Sequence, residues 1–309
     1  MINQSNKLLV CLDLSNMDTI LIRYSAFIAD LLDMDDVHYI HVIKEFDVPK
    51  ELVDEFPELD QPLDEILREE LTETITQELD QLGSPIKPTI HVEYGHALET
   101  ILETSVELKA DITLVGKKTT YKGTGLILSS IASFMENSVL FVPEQTRTSI
   151  EKIMVPIDFT EASLTALKAA AQFAAKSNAQ ITAQHVFELP AQFFPLTTPT
   201  EELADKARKV LRTKADKLIS QSELKDQTIE YVFSLSEGRK LSEVVRHEAL
   251  QQMADMIVLG SKGKNPTSAL FRGTVVEKLV QSDFSVPLFI IKDRKRMRGL
   301  LNFFQKAES

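Results

Sequence analysis

Asp255-Met256-Ile257-Val258-Leu259-Gly260-Ser261-Lys262-Gly263 is a short apolar run that closes on two glycines, and Asp111-Ile112-Thr113-Leu114-Val115-Gly116 repeats its first part about 145 residues earlier. Apolar runs of this length, bounded by glycine, read as buried strands. Working outward from them, the two copies stay in step. Lys7-Leu8-Leu9-Val10-Cys11-Leu12-Asp13 matches Lys152-Ile153-Met154-Val155-Pro156-Ile157-Asp158. His41-Val42 matches His185-Val186, and Gly95 matches Gly238. Ser138-Val139-Leu140-Phe141-Val142 matches Ser285-Val286-Pro287-Leu288-Phe289-Ile290-Ile291. Between these runs lie amphipathic helix patterns, the clearest from about Leu63 to Leu82 and from about Glu201 to Ile219, with Gly83 placed as a C-cap. The order β-α-β-α-β-α-β-α-β therefore occurs twice. Short strands alternating with helices predict an α/β fold, a parallel sheet with helices on both faces in each copy.

A chain of 309 residues exceeds what one small core organises, and the repeat divides it into domains at 1–145 and 146–292, followed by a tail at 293–309. The join near Pro143-Glu144-Gln145-Thr146-Arg147-Thr148 is short, so the halves are expected to pack as an intramolecular pseudo-dimer. The net charge of −12 argues against nucleic-acid binding, which needs a basic face. The single cysteine, Cys11, excludes an intrachain disulfide and reads as core. No apolar stretch reaches the ~18 residues of a membrane span. The first residues lack the basic-then-apolar order of a secretory signal. Together these features predict a cytoplasmic protein without a transmembrane segment.

Gly260, Gly263 and Gly273-Thr274 form the pattern G-x2-G-x9-G-[ST]. Three of the chain's ten glycines fall here, so a steric or ligand reason is expected. A glycine loop between a strand and a helix presents backbone N–H groups to an anion. Ser261, Lys262, Lys264 and Asn265 add side chains that donate to phosphate. A loop that needs glycine merely to turn is the plainer alternative. Thr274 and Glu277 also fit a capping box, which requires no ligand. Asp158 has a plainer reading too, as a strand terminator with Thr160 capping the next helix.

With these residues the chain resembles a tandem member of the universal stress protein family. The resemblance covers nearly the whole chain and is carried by Asp158, His185-Val186, Gly260, Gly263 and Gly273-Thr274. It implies flavodoxin-like (Rossmann-like) sheets of order 3-2-1-4-5, ATP as ligand, a role in stress-response regulation without dedicated turnover, and dimerisation. It places Asp158 against adenosine, Val186 at adenine, Gly260 and Gly263 near ribose and phosphates, and Gly273 and Thr274 on phosphate oxygens. Pro156, Leu259, Lys262 and Val275 flank them as cofactor-binding positions. Asp13, Val42 and Gly116 are the weaker counterparts in the first copy. That copy has Thr119 where the second has Gly263, and Ser129-Ser130 is read as its match to Gly273-Thr274, with a last helix about three residues shorter. It is expected to be a degenerate partner that binds ATP weakly or not at all.

Catalysis finds little support. No Walker-type G-x4-G-K-[ST] is present, and His38, His41, His91, His96, His185 and His247 show no zinc-ligand spacing, so neither a metal site nor bound magnesium is indicated. His41 and His185 read as structural residues at matched strand ends. The acidic run Glu51 to Glu58 reads as a solvated crossover. The C-terminus places Lys292, Arg294, Lys295, Arg296 and Arg298 before Leu300, Leu301, Phe303 and Phe304. It reads as a helix packed on the body, or as a docking element for a partner or a membrane surface. From a different class, the alternative function is an interaction scaffold that binds no nucleotide.

Overall fold

The computed structural model describes residues 6–44, 63–118, 124–189, 200–261, 274–282 and 285–292. The chain divides into two compact units at Thr148/Ser149. The first contains β1 (Lys7–Leu12), α1 (Met17–Leu31), β2 (Asp36–Ile43), α2 (Leu63–Gln81), β3 (Thr89–Tyr94), α3 (Ala97–Glu107), β4 (Ile112–Lys117), α4 (Thr124–Phe134) and β5 (Ser138–Pro143). The second contains β6 (Lys152–Pro156), α5 (Glu161–Ser177), β7 (Gln180–Phe187), α6 (Thr200–Ser220), β8 (Ile229–Leu235), α7 (Leu241–Gln251), β9 (Met256–Ser261), α8 (Thr274–Gln281) and β10 (Leu288–Lys292).

Within the first unit the strands run in the order β3-β2-β1-β4-β5, and within the second β8-β7-β6-β9-β10. Counted inside each copy, both are 3-2-1-4-5. Every pairing within a unit is parallel. The order reverses beside the first strand of each copy. With right-handed crossovers, helices before and after that reversal cover opposite faces. The central strands are buried on both faces, which is why they read as continuous apolar runs: Leu8, Leu9 and Val10 in β1, and Ile257, Val258 and Leu259 in β9, are essentially inaccessible.

Local signals act as chemistry dictates. Gly83 takes φ 63° after α2. Its N–H donates to the Asp80 carbonyl, and the Ser84 N–H donates to the Leu79 carbonyl, each at 3.0 Å, which is a Schellman termination. The last helix of the first copy departs from expectation. It begins at Thr124 and runs 11 residues, against 8 in α8, so it is longer and not shorter. Ser129 and Ser130 lie inside α4 and do not open it. Thr124 therefore holds the helix-opening position of Thr274, and the difference between the copies sits in the number of residues between β4 or β9 and the helix, which is smaller in the first. Matching by glycine count from Gly116 misplaced the start because it assumed equal loops. The acidic run 51–58 and the tail 293–309 lie outside the described residues.

Candidate functional site

In open parallel sheets the place for a ligand is the crevice where strand order reverses, at the carboxyl ends of the strands. In the second unit that crevice lies between β6 and β9, and its opening has a local cause. β6 pairs with β9 only through Ile153↔Met256 and Met154↔Ile257, although both strands continue. Ile157 N–H donates to the Gln184 carbonyl of β7 at 2.7 Å. By the alternation of a strand, the neighbouring Pro156 turns its backbone toward β9. Proline has no N–H to donate there, so the ladder stops. In the first unit the matching residue is Cys11, which still pairs with Val115 of β4. Pro156 thus separates the two copies in a way the glycine pattern does not reveal.

Beyond Pro156 the chain is fixed by Asp158. Its Oδ1 accepts from Thr160 N–H at 3.1 Å, Thr160 Oγ1 at 2.5 Å and Ser163 Oγ at 2.6 Å. Asp158 N–H in turn donates to Ser163 Oγ at 2.9 Å. Thr160 is the N-cap of α5 by position, yet its hydroxyl is spent on Asp158 and makes no capping bond. The loop also holds Phe159 at φ 64°. A bulky side chain in the left-handed region is strained and needs surroundings that enforce it. Here the ring lies 4.5 Å from the His185 ring, and Lys214 Nζ of α6 sits 4.3 Å above it. Leu14 repeats the strain at φ 59° in the first copy.

His185 Nδ1 lies 2.8 Å from the Ile157 carbonyl, and His41 Nδ1 lies 3.1 Å from the Leu12 carbonyl. A carbonyl can only accept, so Nδ1 carries the proton in both rings. Burial holds the His185 pKa below its ordinary value. The Ile157 hydrogen bond opposes that shift, Lys214 reinforces it, and Asp158 opposes it. The ring is a neutral brace that ties the end of the second strand to the first. The next residues, Val186 and Val42, are half-exposed at matched positions.

Gly260 has a packing reason for its identity. A Cβ there would come within 1.9 Å of the Ala162 carbonyl oxygen and 2.6 Å of its carbon, because the first turn of α5 lies directly on β9. A Cβ on Gly116 would meet the flexible Met17 Cγ at 2.7 Å. Leu259 is buried beside Gly260. Lys262, Gly263 and Gly273 lie outside the described residues. Thr274 and Val275 open α8, and their side chains, with that of Glu277, lie outside the described residues too. Lys292, at the end of β10 and in register with Ser261, is a residue that the sequence reading grouped with the basic stretch leading into the tail and not with the site. Desolvation lowers its pKa to about 8.

In the first unit, Asp13 ends β1 as Asp158 ends β6, but its surroundings differ. Lys118 Nζ contacts Asp13 Oδ2 at 2.5 Å, and Ser15 Oγ donates to Asp13 Oδ1. Asp18 stands five residues on, where the second copy has Ser163. Its carboxylate accepts from the N–H groups of Asp13 at 2.9 Å and Leu14 at 2.8 Å. Burial raises the Asp18 pKa, against the pull of these backbone bonds. Among the described residues no group of three metal-ligating side chains gathers, and no helix is long and apolar enough to cross a membrane.

The model of the universal stress protein family matches residues 5–135 and 149–292. Universal stress protein MJ0531 of Methanocaldococcus jannaschii is 26% identical over 176 residues, spanning 55% of this chain and 96% of that protein. A universal stress protein from Archaeoglobus fulgidus is similar in structure, with a TM-score of 0.66 at 17% identity over 94% of this chain and 99% of that one. A functionally unknown protein from Pseudomonas aeruginosa gives a TM-score of 0.60 at 12% identity, covering 98% of each chain. At these identities the structural likenesses speak for the fold alone.

Proposed function

The chain belongs to the universal stress protein family, and from that premise we propose that it is a stress-response regulator whose second unit holds one adenine nucleotide, ATP, per chain, without dedicated turnover. The crevice that Pro156 opens between β6 and β9 carries this reading. Half-exposed Val186 is proposed to meet the base, and half-buried Asp158 the adenosine. The start of α8 at Thr274 supplies a helix N-terminus suited to phosphate. Partly desolvated Lys292 is a cation whose charged form an anion would favour. Gly263 and Lys262 are proposed as the loop's phosphate contacts. The first unit is proposed not to share this role, and the tail 293–309 is proposed to dock a partner and not to serve the nucleotide.

The interaction scaffold remains the second reading. One observation favours it: Gly260 and Asp158, two residues of the expected site, already have structural duties.

Mass spectrometry of small molecules released from the purified chain is expected to find adenine nucleotide, and calorimetry one ATP site. Pro156→Val should restore a ladder donor and narrow the crevice, and Gly263→Val should place a branched Cβ where phosphate must approach. Each is expected to weaken ATP by about 1.4 kcal/mol or more, tenfold in affinity. A chain that releases no nucleotide and binds none supports the scaffold. Unchanged affinity in both variants removes the site from this crevice.

A further inference from the structure

The first unit contains a cavity at the place that corresponds to the crevice of the second, and its chemistry is different. Its volume is about 310 Å3. Met17 and Leu21 of α1, Ile101 of α3, Val115 of β4, and Ile127 and Ile131 of α4 are among the apolar side chains of its wall. Asp13 and Lys118 also line it and are paired with each other. We propose that this cavity binds a small amphipathic monocarboxylate, a medium-chain or aromatic acid, with its apolar body among these side chains and its carboxylate on Lys118.

Size sets the first limit. The volume lies at the low end of small-molecule pockets, roughly 300–1,000 Å3. At interior packing density, roughly 0.74, the cavity holds roughly 230 Å3 of ligand atoms. A largely apolar wall gains most from an apolar body and offers few partners to a ligand rich in hydroxyls.

Charge sets the second. In the second unit a neutral hydroxyl, Ser163 Oγ, accepts the N–H of Asp158. In the first, the Asp18 carboxylate accepts the two amides that end the strand. An acidic pair, Asp13 on the cavity wall and buried Asp18 behind it, therefore stands at a strand end where the second unit has one carboxylate, which disfavours a highly charged anion there. A single carboxylate head needs less. The Asp13 side chain is 54% exposed and that of Lys118 21% exposed. A ligand carboxylate can replace Asp13 on Lys118 and release Asp13 to water that already reaches it. A ligand ammonium would have to displace the less exposed Lys118 from Asp13.

The test uses the full chain with 13C-methyl methionine, following the Met17 methyl, assigned through Met17→Leu. Decanoate, decylamine and ATP are titrated separately. Decanoate is expected to shift the Met17 resonance saturably with one site per chain. Decylamine is expected to bind more weakly, and ATP to leave the resonance in place. Ala97→Phe, on the exposed rim, should weaken decanoate by about tenfold through filling the entrance. Lys118→Ala should weaken it by about fivefold. If Ala97→Phe perturbs the fold, Ile127→Gln, also at an exposed position, should weaken decanoate in its place.

The proposal is overturned if decanoate gives no saturable shift, if the rim variants bind it as tightly as the parent chain, or if decylamine binds as well. Displacement of decanoate by ATP at Met17 would also overturn it, because the cavity would then be a nucleotide pocket. Failure of ATP to bind elsewhere would count against the function proposed for the second unit and leave this result unaffected.

Discussion

Gly260 and Gly116 occupy the same position in the two copies, yet a methyl group would meet different things at each. At Gly260 the obstacle is backbone, the Ala162 carbonyl at 1.9 Å, which can move only if α5 moves. At Gly116 it is the Met17 side chain, which can change rotamer. Gly260→Ala is therefore expected to destabilise the second unit by about 3 kcal/mol, and Gly116→Ala the first by about 1 kcal/mol. Urea unfolding of both variants checks this, and equal losses would contradict the packing account. The contrast also shows what a single sequence hides. Gly260 stood out in the pattern, and its ligand role was the natural inference. The packing reason depends on the approach of Ala162, almost a hundred residues away in the chain, and no local pattern records it. Pro156 was in plain view, but its consequence needed to be known from the side of the strand it faces. His41 and His185 were legible as structural residues because they recur at the same strand end, and each proves to brace a carbonyl of the neighbouring strand.

At the scale of elements, the pairing of β2 with β3 carries a pH dependence. His38 of β2 and His91 of β3 lie 3.0 Å apart between Nδ1 and Nε2. His38 Nε2 lies 2.9 Å from Asp36 Oδ1, and Lys7 Nζ of β1 bonds the other oxygen of Asp36. Asp36 draws the His38 proton to Nε2 and leaves Nδ1 to accept from His91. Burial depresses the His38 pKa most; Asp36 opposes the shift, and His91 and Lys7 add to it. Burial also depresses His91, with Glu93 opposing and Arg68 of α2 adding. Both bases thus bind protons less readily folded than unfolded. The stability they contribute is present above the ordinary value of 6.5 and is lost as pH falls through their lower folded values. Stability of the first unit should begin to fall as pH drops toward 6.5 and should keep falling until the pH lies below the depressed folded values. His91→Gln keeps a donor for His38 without a second titrating ring, so its loss over that range should be smaller. An identical loss would assign the acid sensitivity to other groups. The repeat located these strands, through His41-Val42 at the end of one and Gly95 after the other. It could not pair His38 with His91, because that contact exists only in the register of β2 on β3. The misplaced start of α4 has a similar origin: spacing counted along one copy says nothing about a loop shortened in the other.

At the scale of the whole molecule, the repeat was fully legible, since each copy spells its five strands and its strand-end aspartate in order. Each unit has its own five-strand order, its own order reversal and its own buried strands. A chain divided between Thr148 and Ser149 should therefore give two halves that each unfold cooperatively. Their solution behaviour is a separate matter. Val139-Leu140-Phe141-Val142 and Leu288-Phe289-Ile290-Ile291 are wholly apolar last strands, at the end of the strand order of their own unit. An apolar strand with an uncovered edge templates association with any chain that can pair with it. Each isolated half is expected to associate with another copy of itself, as larger species in sedimentation, while mixing the halves should favour a one-to-one complex. Two halves that stay folded and monomeric would show that these strands need no cover. Halves that fail to fold would show that the copies, alike as their sequences are, do not stand as independent cores.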